Sequence, residues 1–280
     1  MKIVNVFRAP VGGLFRHVRD LARGQNELGH EVGVVCDSTS GGEHAVELLK
    51  QLEPYCKLGV ERRPISRAPG LGDLLGAKAV TSVARKWKPD VLHGHGAKGG
   101  AYARLAGYRL GIKSFYTPHG GSLHHVGSSP MSFIISGTER FLRRIGTGIC
   151  FVCDYERQRF DETFGIKSKP NIVVHNGLWD EEFQPAIAAS DATDFLFVGE
   201  MRDFKGVDLL IRALAQIPNA TLTLVGDGPQ MEEYQVLKRQ LNIESRARFV
   251  GRKTMPEAVG LGRIMVLPSR FESFPYVVIE

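Results

Sequence analysis

Met265-Val-Leu-Pro-Ser-Arg-Phe-Glu-Ser-Phe-Pro-Tyr-Val-Val-Ile-Glu280 is the stretch on which the fold turns. A short apolar strand, Ile264 to Leu267, runs into a turn and then a helix, with Pro275 suited to the first helical position, where a missing N–H costs nothing. Strand, turn and helix N-terminus together make an anion site, because unpaired backbone N–H groups and the positive end of the helix dipole face one spot. Two carboxylates bracket that spot, Glu272 in the turn and Glu280 in the helix. Helical side chains lean towards the N-terminus, which aims Glu280 back at the rim. An acid there repels phosphate and suits hydroxyls, so the implied ligand is a phosphate carrying a sugar. Spacing alone proves nothing, since Glu53 and Glu61 stand equally far apart with no strand–turn–helix pattern around them. Context separates the pairs: an apolar strand before Glu272, and Ser273-Phe274-Pro275 after it.

The rest of the chain supplies a frame for such a site. Its 280 residues, 43% hydrophobic and 24% charged, describe globular domains with ample core, about two in number. No apolar run approaches the roughly 18 residues of a membrane span, and the first seven residues are too short for a signal peptide, so a cytoplasmic chain is expected. Cys150 and Cys153 form a Cys-x-x-Cys without a second pair to complete a zinc site, and read as reduced thiols in a buried strand. The net charge of +6 is uneven: residues 1–185 hold 25 Lys and Arg against 18 Asp and Glu (+7), and residues 186–280 hold 11 against 12 (−1). The basic half should meet an anionic membrane surface or a phospholipid-linked substrate. No basic patch is interleaved with aromatics, which argues against nucleic acid.

Strands and helices alternate along the chain. Lys2–Phe7 is an apolar strand leading through Pro10-Val-Gly12-Gly13 into a helix carrying Leu14, Val18, Leu21 and Leu28, stopped by Gly29. The glycines let a phosphate approach, and this loop lacks the Gly-x-Gly-x-x-Gly of a nicotinamide or flavin site. Strands at Glu31–Cys36, Asp90–His93, Lys113–Thr117, Gly148–Cys153 and Asn171–Val174 follow, with helices between them. Repeated βα units imply parallel sheets with ligands at the strands' carboxyl ends, where His93, His95 and His119 stand. No fixed local spacing makes those histidines a metal site. Residues His124 to Gly146 form an amphipathic segment with Arg140, Arg143 and Arg144, either a membrane-surface helix or an ordinary packed one. A linker is expected at 183–193, between domains at 1–182 and 194–280. In the second, Arg202 and Lys205 occupy a strand-to-helix loop, as a diphosphate clamp requires, and Gly226-Asp-Gly228-Pro229 ends the next strand.

Five stretches in order, Gly12-Gly13, Thr117–Gly121, Arg202–Gly206, Gly226–Pro229 and Glu272–Glu280, resemble the motifs of glycosyltransferase family 4, retaining enzymes of the GT-B fold. The resemblance implies an α/β architecture of two Rossmann-like domains facing across a cleft, acceptor side first and nucleotide-sugar donor side second. It implies His119 facing the transferred sugar, Glu272 on the sugar hydroxyls, Glu280 on the ribose, and Arg202 and Lys205 on the diphosphate. Gly12, Gly13, His95, Gly228, Ser273 and Phe274 would line the substrates. It implies no cofactor and no bound metal, in keeping with the absence of any Asp-x-Asp. The partners implied are a UDP- or GDP-sugar and a glycan or lipid-linked acceptor, in cell-surface polysaccharide or glycolipid assembly. The family pattern continues past its second Glu, so a shortened second domain is expected here. Alternatives are a non-catalytic GT-B scaffold subunit and a nucleotide-sugar epimerase of GT-B architecture.

Overall fold

Lys2–Val6 (β1) is buried at four of its five positions and is the third strand from one edge of a seven-stranded sheet. The computed structural model describes residues 1–67, 69–125, 130–166 and 169–280. These form two units, Met1–Asn176 and Gly177–Glu280, and the 183–193 segment falls within the second.

In the first unit β1 is followed by α1 (Gly12–Glu27), β2 (Glu31–Asp37), α2 (Gly42–Leu52), β3 (Gly59–Arg63), α3 (Gly72–Trp87), β4 (Val91–His95), α4 (Gly96–Leu110), β5 (Lys113–Thr117), α5 (Pro130–Ile145), β6 (Gly148–Phe151), α6 (Asp154–Phe164) and β7 (Asn171–Val173). The strand order is β3-β2-β1-β4-β5-β6-β7, with every pairing parallel. Strands covered on both faces need apolar side chains on both faces, hence the near-continuous runs in β1 and β2. Val4, Val6, Val35 and Leu92 pack against α3 and α4, while Val32, Val34 and Cys36 pack against α1 and α2.

Order reverses between β1 and β4, and α4 must settle close on both strands there. Glycines make the room: a Cβ on Gly99 would sit 2.2 Å from the Val6 carbonyl oxygen, and one on Gly94 would sit 2.4 Å from that of Gly99. Gly94-His-Gly-Ala-Lys-Gly99 is a Gly-x-Gly-x-x-Gly between strand and helix, a pattern outside the sequence reading above. All three glycines are buried, so they serve packing and leave no space for phosphate.

Several expectations are corrected in detail. The buried face of α1 is Phe15, Val18 and Ala22, and Leu28 is exposed beyond the helix end. β3 was not anticipated: Gly-Val-Glu-Arg-Arg has no apolar run because it is an edge strand paired with β2 alone, where charge is tolerated. Glu61 therefore lies in a strand and Glu53 opens a 3₁₀ turn after α2. Cys150 lies in β6, whereas Cys153 caps α6, its Sγ accepting from the Glu156 N–H at 3.4 Å. All four cysteines are free thiols. Residues 126–129, in the expected His124–Gly146 segment, lie outside the described residues.

α5 is anchored from beneath. Arg104 Nη1 donates to Glu139 Oε1 at 2.5 Å, both side chains buried, and the guanidinium stacks 4.0 Å from the Tyr116 ring. Arg143 is buried too and donates to the Gly165 carbonyl, leaving Arg140 and Arg144 on the outer face with Phe133, Ile134 and Phe141.

The second unit runs β8 (Thr193–Val198), α7 (Val207–Ala215), β9 (Leu222–Val225), α8 (Met231–Gln240), β10 (Ala247–Phe249), α9 (Met255–Ala258), β11 (Gly262–Met265) and α10 (Tyr276–Ile279). Its sheet, β10-β9-β8-β11, is again parallel. Phe197, Leu210, Ile211, Leu214, Leu222, Leu224 and Tyr234 make its core, each fully buried large side chain contributing roughly 1.5–3 kcal/mol. Pro275 takes the N-cap of α10, one place earlier than expected, and α10 is a single turn. No helix among the described residues is long and apolar enough to cross a membrane.

Candidate active site

Both sheets reverse their strand order beside a strand whose carboxyl end carries polar groups, the place where open parallel sheets bind ligands. In the first unit that place is the end of β1 and β4. Asn5 of β1 pairs in register with His93, and His95 with Thr117 of β5. Side chains two apart share a sheet face, and Asn5 Oδ1 lies 3.2 Å from His95 Nε2. Asn5 Nδ2 donates to Gln25 Oε1 at 3.1 Å, which turns the Asn5 oxygen to His95. His95 Nε2 is therefore the N–H donor, and Nδ1 keeps the lone pair.

That lone pair faces His119 Nε2 at 3.3 Å. His119 follows β5 with φ of +51°, a left-handed conformation costly for a side chain bearing a Cβ. Glu156 holds the turn, accepting from the Gly120 N–H at 2.5 Å and the Val152 N–H at 3.2 Å while fully buried. His17, one turn into α1, completes the group: its ring lies 4.7 Å from that of His119, edge-on, and its Nδ1 lies 3.0 Å from Asn176 Oδ1. His93 instead turns to Thr117, Nε2 to Oγ1 2.8 Å.

Burial pushes all four imidazoles towards the neutral form. His93 falls to about 3, chiefly through burial and then the nearby His17. His95 and His119 are held well below the ordinary value by burial and by neighbouring histidines. His17 falls less, because Asn176 and Asp20 oppose the effect of burial. The result is an uncharged cluster of donors and acceptors, with His95 buried and His17, His93 and His119 partly buried. Gly12 (φ +74°) and Gly13 open α1 exposed, and no acid occupies that helix's first turn.

In the second unit the loops after β8, β9 and β11 are tied together. The Gly226–Pro229 loop exchanges backbone bonds with Met201, the Met201 N–H donating to Asp227 O at 3.0 Å and the Gln230 N–H to Met201 O at 3.1 Å. A Cβ on Gly228 would stand 2.6 Å from the Met201 oxygen, so only glycine fits. Gly206, with φ of +68°, brings the Arg202–Lys205 loop equally close to Pro268. Arg270 locks the other side, its guanidinium donating to Asp208 at 2.8 and 2.7 Å and its backbone N–H donating to the Phe204 carbonyl at 2.8 Å. Asp208 is held below the carboxylate range chiefly by that Arg270 bond.

This scaffold brings Lys205 against Glu272: Lys205 Nζ pairs with Glu272 Oε1, which also accepts from Ser269 Oγ at 2.9 Å. Arg202 turns to Glu200, Nε to Oε1 2.7 Å, an ion-pair contact without the angle of a hydrogen bond. Ser273 and Phe274 are half-buried in the same loop, and Glu280 is exposed at the C-cap of α10. The structure thus joins His95 to His119 and Lys205 to Glu272, with Glu280 at the end of the one-turn α10. The sequence reading missed His17, Asn5 and Glu156; only the four-residue step from Gly13 to His17 on one helix face pointed to any of them.

The chain matches the family model described as "Glycosyltransferase Family 4" over residues 11–181 and that described as "Glycosyl transferases group 1" over residues 192–280. It is 25% identical to a glycogen synthase of Mycobacterium tuberculosis over 304 residues, covering 96% of this chain and 72% of that protein. It is 22% identical over 228 residues to the UDP-Gal:alpha-D-GlcNAc-diphosphoundecaprenol alpha-1,3-galactosyltransferase of Escherichia coli, covering 74% of this chain and 59% of that one. In fold it is similar to Anabaena Alr3699/HepE, solved with UDP and glucose, with a TM-score of 0.78 at 20% identity, covering 99% of this chain and 77% of that one. Two parallel α/β units in this order, with a first family model that spans more than half of its length, show that the chain belongs to glycosyltransferase family 4, of the GT-B fold.

Proposed function

We propose that the protein is a metal-independent, retaining hexosyltransferase, moving a sugar from a UDP- or GDP-sugar to a glycan or lipid-linked acceptor in cell-surface polysaccharide or glycolipid assembly. The observation that carries this reading is the Lys205–Glu272–Ser269 cluster, a cation and an acid held on two neighbouring loops at the carboxyl edge of β8 and β11. An ammonium has three donors, so Lys205 can keep Glu272 and still meet a phosphate oxygen. In this reading Lys205 and Arg202 take up the charge of the departing diphosphate, the task that a metal ion performs in other transferases. α10 is one turn long, so its dipole adds little.

Glu272 orients the sugar hydroxyls, and Glu280 takes the ribose. Gly228, Ser273 and Phe274 line the nucleotide-sugar. The first unit supplies the acceptor side: Gly12 and Gly13 give close approach, His95 fixes His119, and His119 hydrogen-bonds the sugar near its reacting carbon. A neutral His119 can donate or accept there without adding charge to an oxocarbenium-like centre. The named relatives act on, or were solved with, sugars and nucleotides, which supports a nucleotide-sugar donor. The basic first unit favours work at the inner face of a membrane, with the chain itself cytoplasmic.

Incubation of the protein with a panel of UDP- and GDP-sugars and glycan acceptors, with and without EDTA, tests the reading. Mass spectrometry should show transfer that survives chelation, and NMR of the product should show the donor's anomeric configuration kept. Chelator-sensitive transfer restored by Mn²⁺ overturns the cationic-loop mechanism, and an inverted product overturns retention.

A further inference from the structure

Among the described residues one group of three side chains has the geometry to hold a metal ion: His17, His95 and His119, with one ligand nitrogen from each, all within 4.8 Å of one another. No local pattern predicts it, because the three come from α1, β4 and the turn after β5, and the histidine at the most suggestive spacing, His93, points to Thr117 instead. We propose that His17, His95 and His119 form a Zn²⁺ site of three imidazoles with one open position, and that an ion there blocks sugar transfer.

Three features carry this. Zinc–nitrogen bonds of about 2.0–2.1 Å in a tetrahedron place two ligand nitrogens about 3.3–3.4 Å apart, and His95 Nδ1 lies 3.3 Å from His119 Nε2. His17 then closes the triangle with a small turn of a partly buried side chain on a helix. Second, the outer contacts are those that metal-bound histidines use, each ring donating its other N–H to an oxygen. His95 Nε2 meets Asn5 Oδ1, itself fixed by Gln25, and His17 Nδ1 meets Asn176 Oδ1. His95 therefore already presents Nδ1, and His17 presents Nε2. His119 needs only to carry its proton on Nδ1 rather than Nε2.

Third, the donor set selects the ion. Three neutral imidazoles without a carboxylate suit Zn²⁺ and its borderline neighbours, and do not suit Mg²⁺, which demands oxygen ligands. The rival soft ligands are poor competitors, since burial pushes the thiols of Cys36 and Cys56 up to about 12. Binding would replace the His95–His119 hydrogen bond that fixes His119 and put a dication beside the oxocarbenium-like centre. The inhibitory half of the proposal rests on the role given to His119 above, whereas the binding half rests on geometry alone.

The two halves are separated by measuring binding and turnover apart. Calorimetric titration of the chelator-treated protein with Zn²⁺ should give one ion per chain, undisplaced by millimolar-range Mg²⁺. Co²⁺ in its place should show the intense visible bands of a tetrahedral nitrogen site. His17→Ala should weaken Zn²⁺ binding at least about ten-fold, as should His17→Gln, with circular dichroism unchanged. Asn176→Ala should weaken it by roughly 10-fold or more through the lost outer contact. His44→Ala, at an exposed position on α2, should change nothing. Unchanged affinity in both His17 variants overturns the site. If Zn²⁺ binds as expected but leaves an active enzyme's rate untouched, the inhibitory half is overturned. If binding holds and no sugar is transferred under any condition, the transferase reading fails while the metal site stands.

Discussion

Lys205 and Glu272 are each about three-quarters buried and neutralise one another at the loop edge of the second sheet. Their mutual pairing predicts distinct outcomes for the two substitutions. Lys205→Ala removes the charge proposed to meet diphosphate, and titration calorimetry should show nucleoside-diphosphate binding weakened by about 1.5–3 kcal/mol, the scale of a charge-assisted bond. Glu272→Gln keeps size but loses the charge proposed to orient sugar hydroxyls, so kcat should fall of order 10²-fold, about 2.7 kcal/mol of transition-state stabilisation. The melting temperature should move by only a few degrees, because an ion pair still in contact with water at the loop edge contributes on the order of 1 kcal/mol. Glu53→Gln, at the exposed end of α2, should leave rate and stability unchanged. Equal kinetics for the two glutamine variants would break the assignment of Glu272. The strand–turn–helix setting of Glu272 was legible in the sequence because its signals are local, whereas its pairing with Lys205 was not. His17, Asn5 and Glu156 were not, because each meets its partners through a contact between elements remote in the chain, which no local pattern encodes.

At the scale of elements, the alternation of strands and helices was legible wherever a strand was buried on both faces. It failed at β3, whose edge position allows a polar sequence, and at α9, a single turn closed by a Thr254–Glu257 capping box. α5 shows a subtler limit. Its three arginines read alike in sequence, yet Arg143 is spent on the Gly165 carbonyl and only Arg140 and Arg144 share the outer face with Phe133, Ile134 and Phe141. That face of aromatic, aliphatic and cationic side chains fits the surface of an anionic bilayer. Sedimentation with phosphatidylglycerol vesicles should therefore carry the protein down at low salt and release it as salt rises. Phe133→Ser combined with Arg144→Ser should weaken pelleting several-fold, whereas equal pelleting on neutral vesicles would show that charge plays no part. The buried Arg104–Glu139 pair keeps the helix in place, and Arg104→Ala, which strands Glu139 without a counter-charge, should cost about 3–5 kcal/mol of first-unit stability in denaturant titration.

For the molecule as a whole, the histidine cluster sets a pH limit on the first unit. Each of these imidazoles titrates lower in the folded chain than in the unfolded one, so the unfolded state binds the extra proton once the pH drops below about 6.5. Their contribution is thus fully present above that value and is lost as the pH falls towards the folded pKa, about 3 for His93. At pH 5 a single such histidine costs about 2 kcal/mol, from the ratio of its two protonation equilibria. Asp37 and Asp73 do not confuse this window. Burial alone would raise Asp37, but the N–H of Ile65 and the Ser40 and Thr39 contacts outweigh it; in Asp73 the bonds from Lys98, Tyr102 and Gly70 do the same. Both acids therefore end below their ordinary value, and their contribution persists until the pH falls beneath about 4. Trp87, packed against Gly33 of β2, reports on the first unit. Its fluorescence melt should shift down by roughly 4–8 °C per histidine's worth of lost stability between pH 7 and pH 5. His93→Gln, which keeps a hydrogen-bonding group towards Thr117, should lose that much less on acidification, although it starts lower. A first-unit melt as stable at pH 5 as at pH 7, or a His93→Gln variant with an undiminished acid shift, would mean that these rings take up protons in the folded state and that the cluster is not the neutral assembly described.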